Sequence, residues 1–148
     1  MRLKKQAFTM IELVFVIVVL GILSAVAIPK FAATRTDAQI SKARADISSV
    51  RSSIISERQS RLIQGDNSWI NKLSHSDDIL FDGNGTVELL MYGIKSGTKN
   101  GHWSASDSTY KKYTYKVSDS DCNFTYSSDN GTFKMDDDQD AICDQLVN

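Results

Sequence analysis

The sequence predicts an α+β chain: one long N-terminal helix, apolar in its first half and amphipathic in its second, packed on a small C-terminal antiparallel β-sheet. Three observations carry this. Residues 13–28 contain no charge. Residues 31–63 contain no proline or glycine and place Ile40, Ala43, Ile47, Val50 and Ile54 at alternating spacings of three and four, the apolar stripe of a surface helix. The rest of the chain divides into short strand-like pieces between Gly, Asn and Asp clusters.

The bulk composition sets the bounds. A chain of 148 residues fits one domain. With 17 Lys+Arg against 18 Asp+Glu the net charge is −1, which excludes a globally basic nucleic-acid binder and an acidic disordered tail. At 41% hydrophobic and 24% charged it is too polar for a multi-span membrane protein.

The first element is an anchor. From Phe8 to Ile28 the only charge is Glu12. As a helix at ~1.5 Å per residue this stretch reaches ~31 Å, enough for a hydrocarbon core of ~30 Å. Arg2, Lys4 and Lys5 precede it, and positive charge before a first apolar segment stays cytoplasmic. The expected product is a single-pass membrane protein with its C-terminal domain exported. A cleaved secretory signal is the rival, with Ser24-Ala25-Val26-Ala27 as its small-residue site. That reading leaves Glu12 unexplained, since a carboxylate in a membrane segment is costly and usually functional.

Lys4-Lys5-Gln6-Ala7 followed by Phe8-Thr9-Met10-Ile11-Glu12-Leu13 closely resembles the prepilin processing motif of type IV pilins and type II secretion pseudopilins. The resemblance implies that a membrane-embedded prepilin peptidase cuts between Ala7 and Phe8 and methylates the new amino group of Phe8. Glu12 falls on the glutamate that family uses in assembly, and Gly21 and Pro29 fall where pilin helices carry a glycine and a proline. Ala7 departs from the pattern, because the family usually has glycine before the cut. The implied division is a leader at 1–7, a transmembrane and polymerisation segment at 8–29, and a periplasmic pilin-like domain at 30–148 that includes the amphipathic half of the helix. The implied partners are copies of the chain itself or of other pilins, the prepilin peptidase, the inner-membrane assembly platform and the membrane. A filament core built from residues 8–54 of neighbouring copies is expected.

Pro29 should bend or loosen the helix near the membrane surface. The amphipathic half should pack on its own sheet, with a coiled-coil partner as the alternative, and should end by Gly65-Asp66-Asn67. Strands are expected at Thr86–Tyr92, Tyr110–Val117 and Asn123–Tyr126, the last joined to Thr132–Met135 around Asp129-Asn130-Gly131. In the second of these, Tyr113, Tyr115 and Val117 share one face.

Cys122 and Cys143 are the only cysteines. On the exported side they favour a disulfide worth roughly 3 kcal/mol in the chain-entropy model, with two free buried thiols as the alternative. Several pilin branches clamp the sheet in this way. Charge is segregated: residues 30–118 carry +4 and residues 119–148 carry −7. This suits either head-to-side packing of subunits or a solvated acidic loop. Asp136, Asp138 and Asp140, with Asp137 among them, are the one candidate for a metal, namely calcium. The EF-hand pattern is not met, and no metal or cofactor is expected.

Asn84 and Asn123 each stand in an Asp-x-Asn-x-Thr run, the acidic-extended sequon of bacterial N-glycosylation. His75 and His102 lie in no ligand-spaced or nucleophile-bearing motif, so no catalysis is expected. Trp69 and Trp103 read as core or interface residues. The expected function is a structural subunit of a type II secretion pseudopilus or a type IV pilus. The alternative is a minor pilin of a DNA-uptake system, for which Lys111 and Lys112 beside Tyr110 and Tyr113 are the one basic-aromatic patch. Nucleic acid is otherwise not an expected partner.

Overall fold

The computed structural model describes residues 8–147, which contain α1 (Met10–Ile63), six strands and the short α2 (Ala141–Asp144). The chain divides into two compact units, one through Arg35 and one from Thr36. α1 contributes to both and continues through Pro29. Beyond Ile63 the chain turns at Gly65, whose φ is +82°, and Asp66 accepts the Ser68 N–H at 2.9 Å.

In the second unit the sheet follows from alternation. β3 (Trp103–Ala105), β4 (Lys112–Val117), β5 (Ser120–Ser127) and β6 (Thr132–Met135) form one antiparallel meander in that order. Tyr113, Tyr115 and Val117 of β4, Cys122, Phe124 and Tyr126 of β5, Trp103 of β3 and Phe133 of β6 all point inward and are buried. Against them lies the α1 stripe of Ile40, Ala43, Ile47, Val50 and Ile54, every member buried in the same core. The amphipathic half therefore packs on its own sheet. Within the expected assembly core of 8–54, this stripe is already covered by the sheet, while Ile55 on the same helix stays exposed.

Aromatic rings fill the centre. Trp103 meets Phe81 edge-on at 5.4 Å, and Phe124 stacks on Phe133 at 5.4 Å. Buried phenols also need hydrogen-bond partners. Tyr115 donates to the Gln39 carbonyl at 2.8 Å and Tyr126 to the Ile70 carbonyl at 2.7 Å. Tyr113 donates to the Tyr110 carbonyl at 2.8 Å, and its hydroxyl also lies 2.8 Å from that of Ser74. Cations of α1 tie the helix to the sheet through backbone carbonyls: Lys42 to Gly101 at 2.8 Å and Arg51 to Phe133 at 3.0 Å.

Two strand expectations need correction. Residues 86–92 are not a strand. The segment doubles back through turns, with Leu89 N–H on the Asp82 carbonyl and Leu90 N–H on the Phe81 carbonyl, both at 3.1 Å, and one isolated bridge from Gly83 to Glu88. The cause is local: Gly83 has φ +110°, and a Cβ there would sit 1.9 Å from the Val87 carbonyl oxygen. The second correction concerns the β4–β5 link. β5 starts at Ser120, so Ser118 and Asp119, at φ +48° and +66°, form a two-residue hairpin turn without glycine. Asn100 supports it by exchanging hydrogen bonds at 3.2 Å with the Asp119 N–H and carboxylate. β3 and the small pair β1 (Ile79–Leu80) and β2 (Ile94–Lys95) are too short to show a period.

Candidate functional site

The site begins where the helix begins. Thr9 precedes the first helical residue, Met10, and its hydroxyl accepts the Glu12 N–H at 3.3 Å while lying 3.5 Å from the Glu12 carboxylate. Thr9-Met10-Ile11-Glu12 has the spacing of a capping box, which holds an anion at the positive end of the helix. Sequence reading singled out Glu12 and missed Thr9. The T-x-x-E spacing ahead of an apolar run was the signal that would have found it.

Around this cap the surface is apolar. From Phe8 to Phe31 every large apolar side chain is exposed, Val14, Ile17 and Leu20 as well as Phe15 and Leu23. They lie on all sides of the helix rather than along one stripe, and a helix apolar all round is stable only when surrounded by lipid or by other helices. This is the one stretch of the described residues long and apolar enough to cross a membrane. Near its end Pro29 brings no N–H for the Ala25 carbonyl one turn back, and Thr34 donates its hydroxyl to the Lys30 carbonyl at 2.9 Å.

Residues 2–28 match the family model of the prokaryotic N-terminal methylation motif. The chain carries a prepilin N-terminus. No curated protein and no solved structure matches it. The motif is that of pilin-like and pseudopilin proteins. It implies processing by a prepilin peptidase and assembly into a filament in a membrane machine, and with the apolar helix it points to membrane anchoring. The expected leader at 1–7, with Ala7 before the expected cut, lies outside the described residues.

The second unit, a lobe from Thr36 onward, holds the remaining candidates. Cys122 of β5 and Cys143 of α2 form a disulfide, with Cα atoms 5.5 Å apart. Both are fully buried, and the bond fastens the C-terminal turn to the sheet. The acidic run is not gathered into a ligand set: among the described residues no three His, Cys, Asp or Glu side chains group as a metal site, and this includes Asp136, Asp138 and Asp140. The basic-aromatic patch is dispersed. Tyr113 is in the core, Tyr110 is half-buried under the Lys72 ammonium at 5.2 Å, and Lys111 donates to the Ser128 hydroxyl at 2.9 Å. Trp103 is in the core and donates its indole N–H to Asp46 at 3.1 Å. Trp69 is half-buried beneath the Arg58 guanidinium at 5.0 Å. His75 pairs with Asp82 at 2.8 Å.

Burial pushes the phenols of Tyr115 and Tyr126 up to about 12 and that of Tyr113 higher still. At neutral pH these groups are uncharged donors that fasten the sheet to the elements beneath it.

Proposed function

We propose that the protein is a structural subunit of a type II secretion pseudopilus, or of the closely similar type IV pilus. In this reading it is cut before Phe8, N-methylated there, and polymerised through its N-terminal helix with the lobe in the periplasm or on the filament surface. It catalyses nothing itself. One observation supports the reading above the others: the matched motif at residues 2–28 runs into the one described segment whose large apolar side chains are all exposed in the single chain. Cleavage removes Arg2, Lys4 and Lys5, which hold the N-terminus at the cytoplasmic face, and creates an amine one helical turn from Glu12.

The mechanism follows from electrostatics. When the subunit leaves the bilayer, Glu12 enters a packing of apolar helices, where an unpaired carboxylate is strongly disfavoured. The methylated amine of Phe8 on a neighbouring copy supplies the counter-charge. Pairing at low dielectric also fixes the axial register between subunits, and Thr9 holds the carboxylate at the helix start for it. With the stripe at 40–54 covered by the lobe, the segment before it brings most of the apolar surface to the helix-to-helix contact of residues 8–54. Pro29 gives that segment a place to bend.

The test combines intact mass with assembly. Membrane-extracted protein should lack residues 1–7 and carry one added methyl group. Glu12→Val should insert and be cleaved normally, yet yield no sheared or cross-linked filament when it is the sole copy. A mature N-terminus near Ala27 would identify a secretory signal and end the reading. Normal assembly from Glu12→Val would remove the charge pair from the mechanism.

A further inference from the structure

Two runs of the pattern Asp-x-Asn-x-Thr lie in the lobe, at 82–86 and 121–125, and the fold treats them oppositely. We infer that Asn84 is an N-glycosylation acceptor in the folded lobe and that Asn123 is not. A transferase has to enclose the acceptor carboxamide, so the segment carrying it must bend and stand clear of the sheet. Asn84, half-buried itself, occupies a bend outside both sheets, between buried Gly83 and exposed Gly85 at φ +110° and +90°.

The carboxamide of Asn84 is also arranged for the reaction. Its Oδ1 accepts the N–H groups of Thr86 and Val87 at 3.0 and 2.9 Å. An amide nitrogen is a poor nucleophile until it gives up a proton, and charge then gathers on the oxygen. Two backbone donors aimed at that oxygen stabilise the charge where it forms. Nδ2 donates to the side chain of Asn71 at 3.1 Å, at an exposed position where water can take over. Thr86 is exposed beside it.

The acidic residue of the run has its own feature. Asp82 Oδ2 pairs with His75, but Oδ1 is buried and has no partner among the described residues. Asp82 lines a cleft of about 340 Å³ with His75, Thr86, Glu88 and Met91. An unpaired buried carboxylate oxygen is costly, and a cationic side chain of a transferase entering this cleft would supply the missing donor.

Asn123 is held extended in the middle of β5, paired with Thr114 of β4. Its N–H donates to Gln139 at 2.5 Å, and its carbonyl accepts from Gln139 and from the Asp136 N–H, each at 2.9 Å. Its Oδ1 takes the Thr114 hydroxyl at 2.7 Å, and the next residue back is bridged to Cys143. Bending this run would open the sheet at its centre.

The donor required is a polyprenyl-pyrophosphate-linked oligosaccharide. Nδ2 bonds to the sugar C1 as the C1–O bond to pyrophosphate breaks. The electron pair leaves with the pyrophosphate, and the Nδ2 proton passes to a base of the transferase. Nothing is oxidised or reduced. The inference rests on the proposed export of the lobe.

The experiment is intact-mass and glycopeptide analysis of the protein extracted from its own cells. Glycan mass should appear on the Asn84 peptide and not on the Asn123 peptide. Asn84→Gln and Thr86→Val should each abolish it, Thr86→Val without changing the unfolding midpoint, and Asn123→Gln should leave it in place. Modification of Asn123 as well, or glycan surviving Asn84→Gln, overturns the inference. A bare Asn84 on a chain that has lost residues 1–7 overturns it and leaves the prepilin reading standing. A chain that retains residues 1–7 overturns the prepilin reading and, with it, the export on which the inference depends.

Discussion

Between Phe8 and Phe31 every large apolar side chain is exposed, Phe8 at 77% and Met10 at 80%, whereas Ile47, Val50 and Ile54 farther along the same helix are 2%, 0% and 1% exposed. Both stretches draw on isoleucine and valine, and both are helical. They differ in arrangement. The first is apolar on every side, so no single sheet could cover it, and the chain offers it none. The second gathers Ile40, Ala43, Ile47, Val50 and Ile54 into one stripe flanked by Lys42, Arg44, Arg51 and Arg58, so one sheet covers that stripe. Only Ile55 and the last turn leave large apolar side chains exposed. The amount of apolar surface does not decide whether a helix is satisfied within its own chain; its distribution around the axis does.

The comparison breaks most sharply at the core. Trp103→Ala should destabilise the lobe by about 3–5 kcal/mol, and it also leaves the Asp46 carboxylate without its indole donor. Phe15→Ala should leave lobe unfolding unchanged, because Phe15 is 68% exposed and belongs to the other unit. Denaturant unfolding of both variants checks this. A lobe weakened by Phe15→Ala would mean that the N-terminal segment contributes to folding as well as to assembly.

A smaller effect should come from the disulfide. Cys122→Ser should cost roughly 3 kcal/mol, by releasing a loop whose ends are 21 residues apart. Thermal unfolding with and without reductant measures it. Insensitivity of the wild-type midpoint to reductant, with the thiols shown to be free, would mean that core packing alone holds α2 in place.

The mildest expectation concerns alkaline pH. Tyr115 and Tyr126 titrate at about 12 in the folded lobe, against ~10 in an unfolded chain. The folded state therefore binds these protons more tightly. Their stabilisation is complete below pH ~10 and is lost as pH rises from there to about 12. Ultraviolet titration of the phenolates should show them ionising only as the lobe opens. Residues 8–35 contain no tyrosine, so removing that segment should leave the transition where it is. Phenolates of Tyr115 and Tyr126 forming near pH 10 in a folded lobe would contradict their burial.

Much of this chain could be read directly. The stripe from Ile40 to Ile54 was legible because a period of 3.6 survives over four turns, and Tyr113, Tyr115 and Val117 because a period of two survives over six residues. The β5–β6 hairpin was legible because Asp129-Asn130-Gly131 supplies a glycine at φ +70°, packed so closely that a Cβ there would lie 2.1 Å from the Trp69 ring. The strand expected at 86–92 failed because glycines at 83 and 85 direct the backbone into turns that the apolar letters after them conceal. The Ser118-Asp119 turn was missed because its left-handed backbone is supported by Asn100, a residue far away in sequence.

By itself, then, the sequence determined the prepilin N-terminus, the apolar helix that must find lipid or other helices, and the faces of the elements with enough turns or pleats to show a period. These are local properties, written in spacing and hydropathy. Only the tertiary structure decided which surface covers the amphipathic stripe, that Cys122 and Cys143 stand close enough to bond, and that Asn84 sits in a bend while Asn123 is held in a strand. Each of those depends on which residues distant in the chain come to lie beside one another, and no local pattern records that.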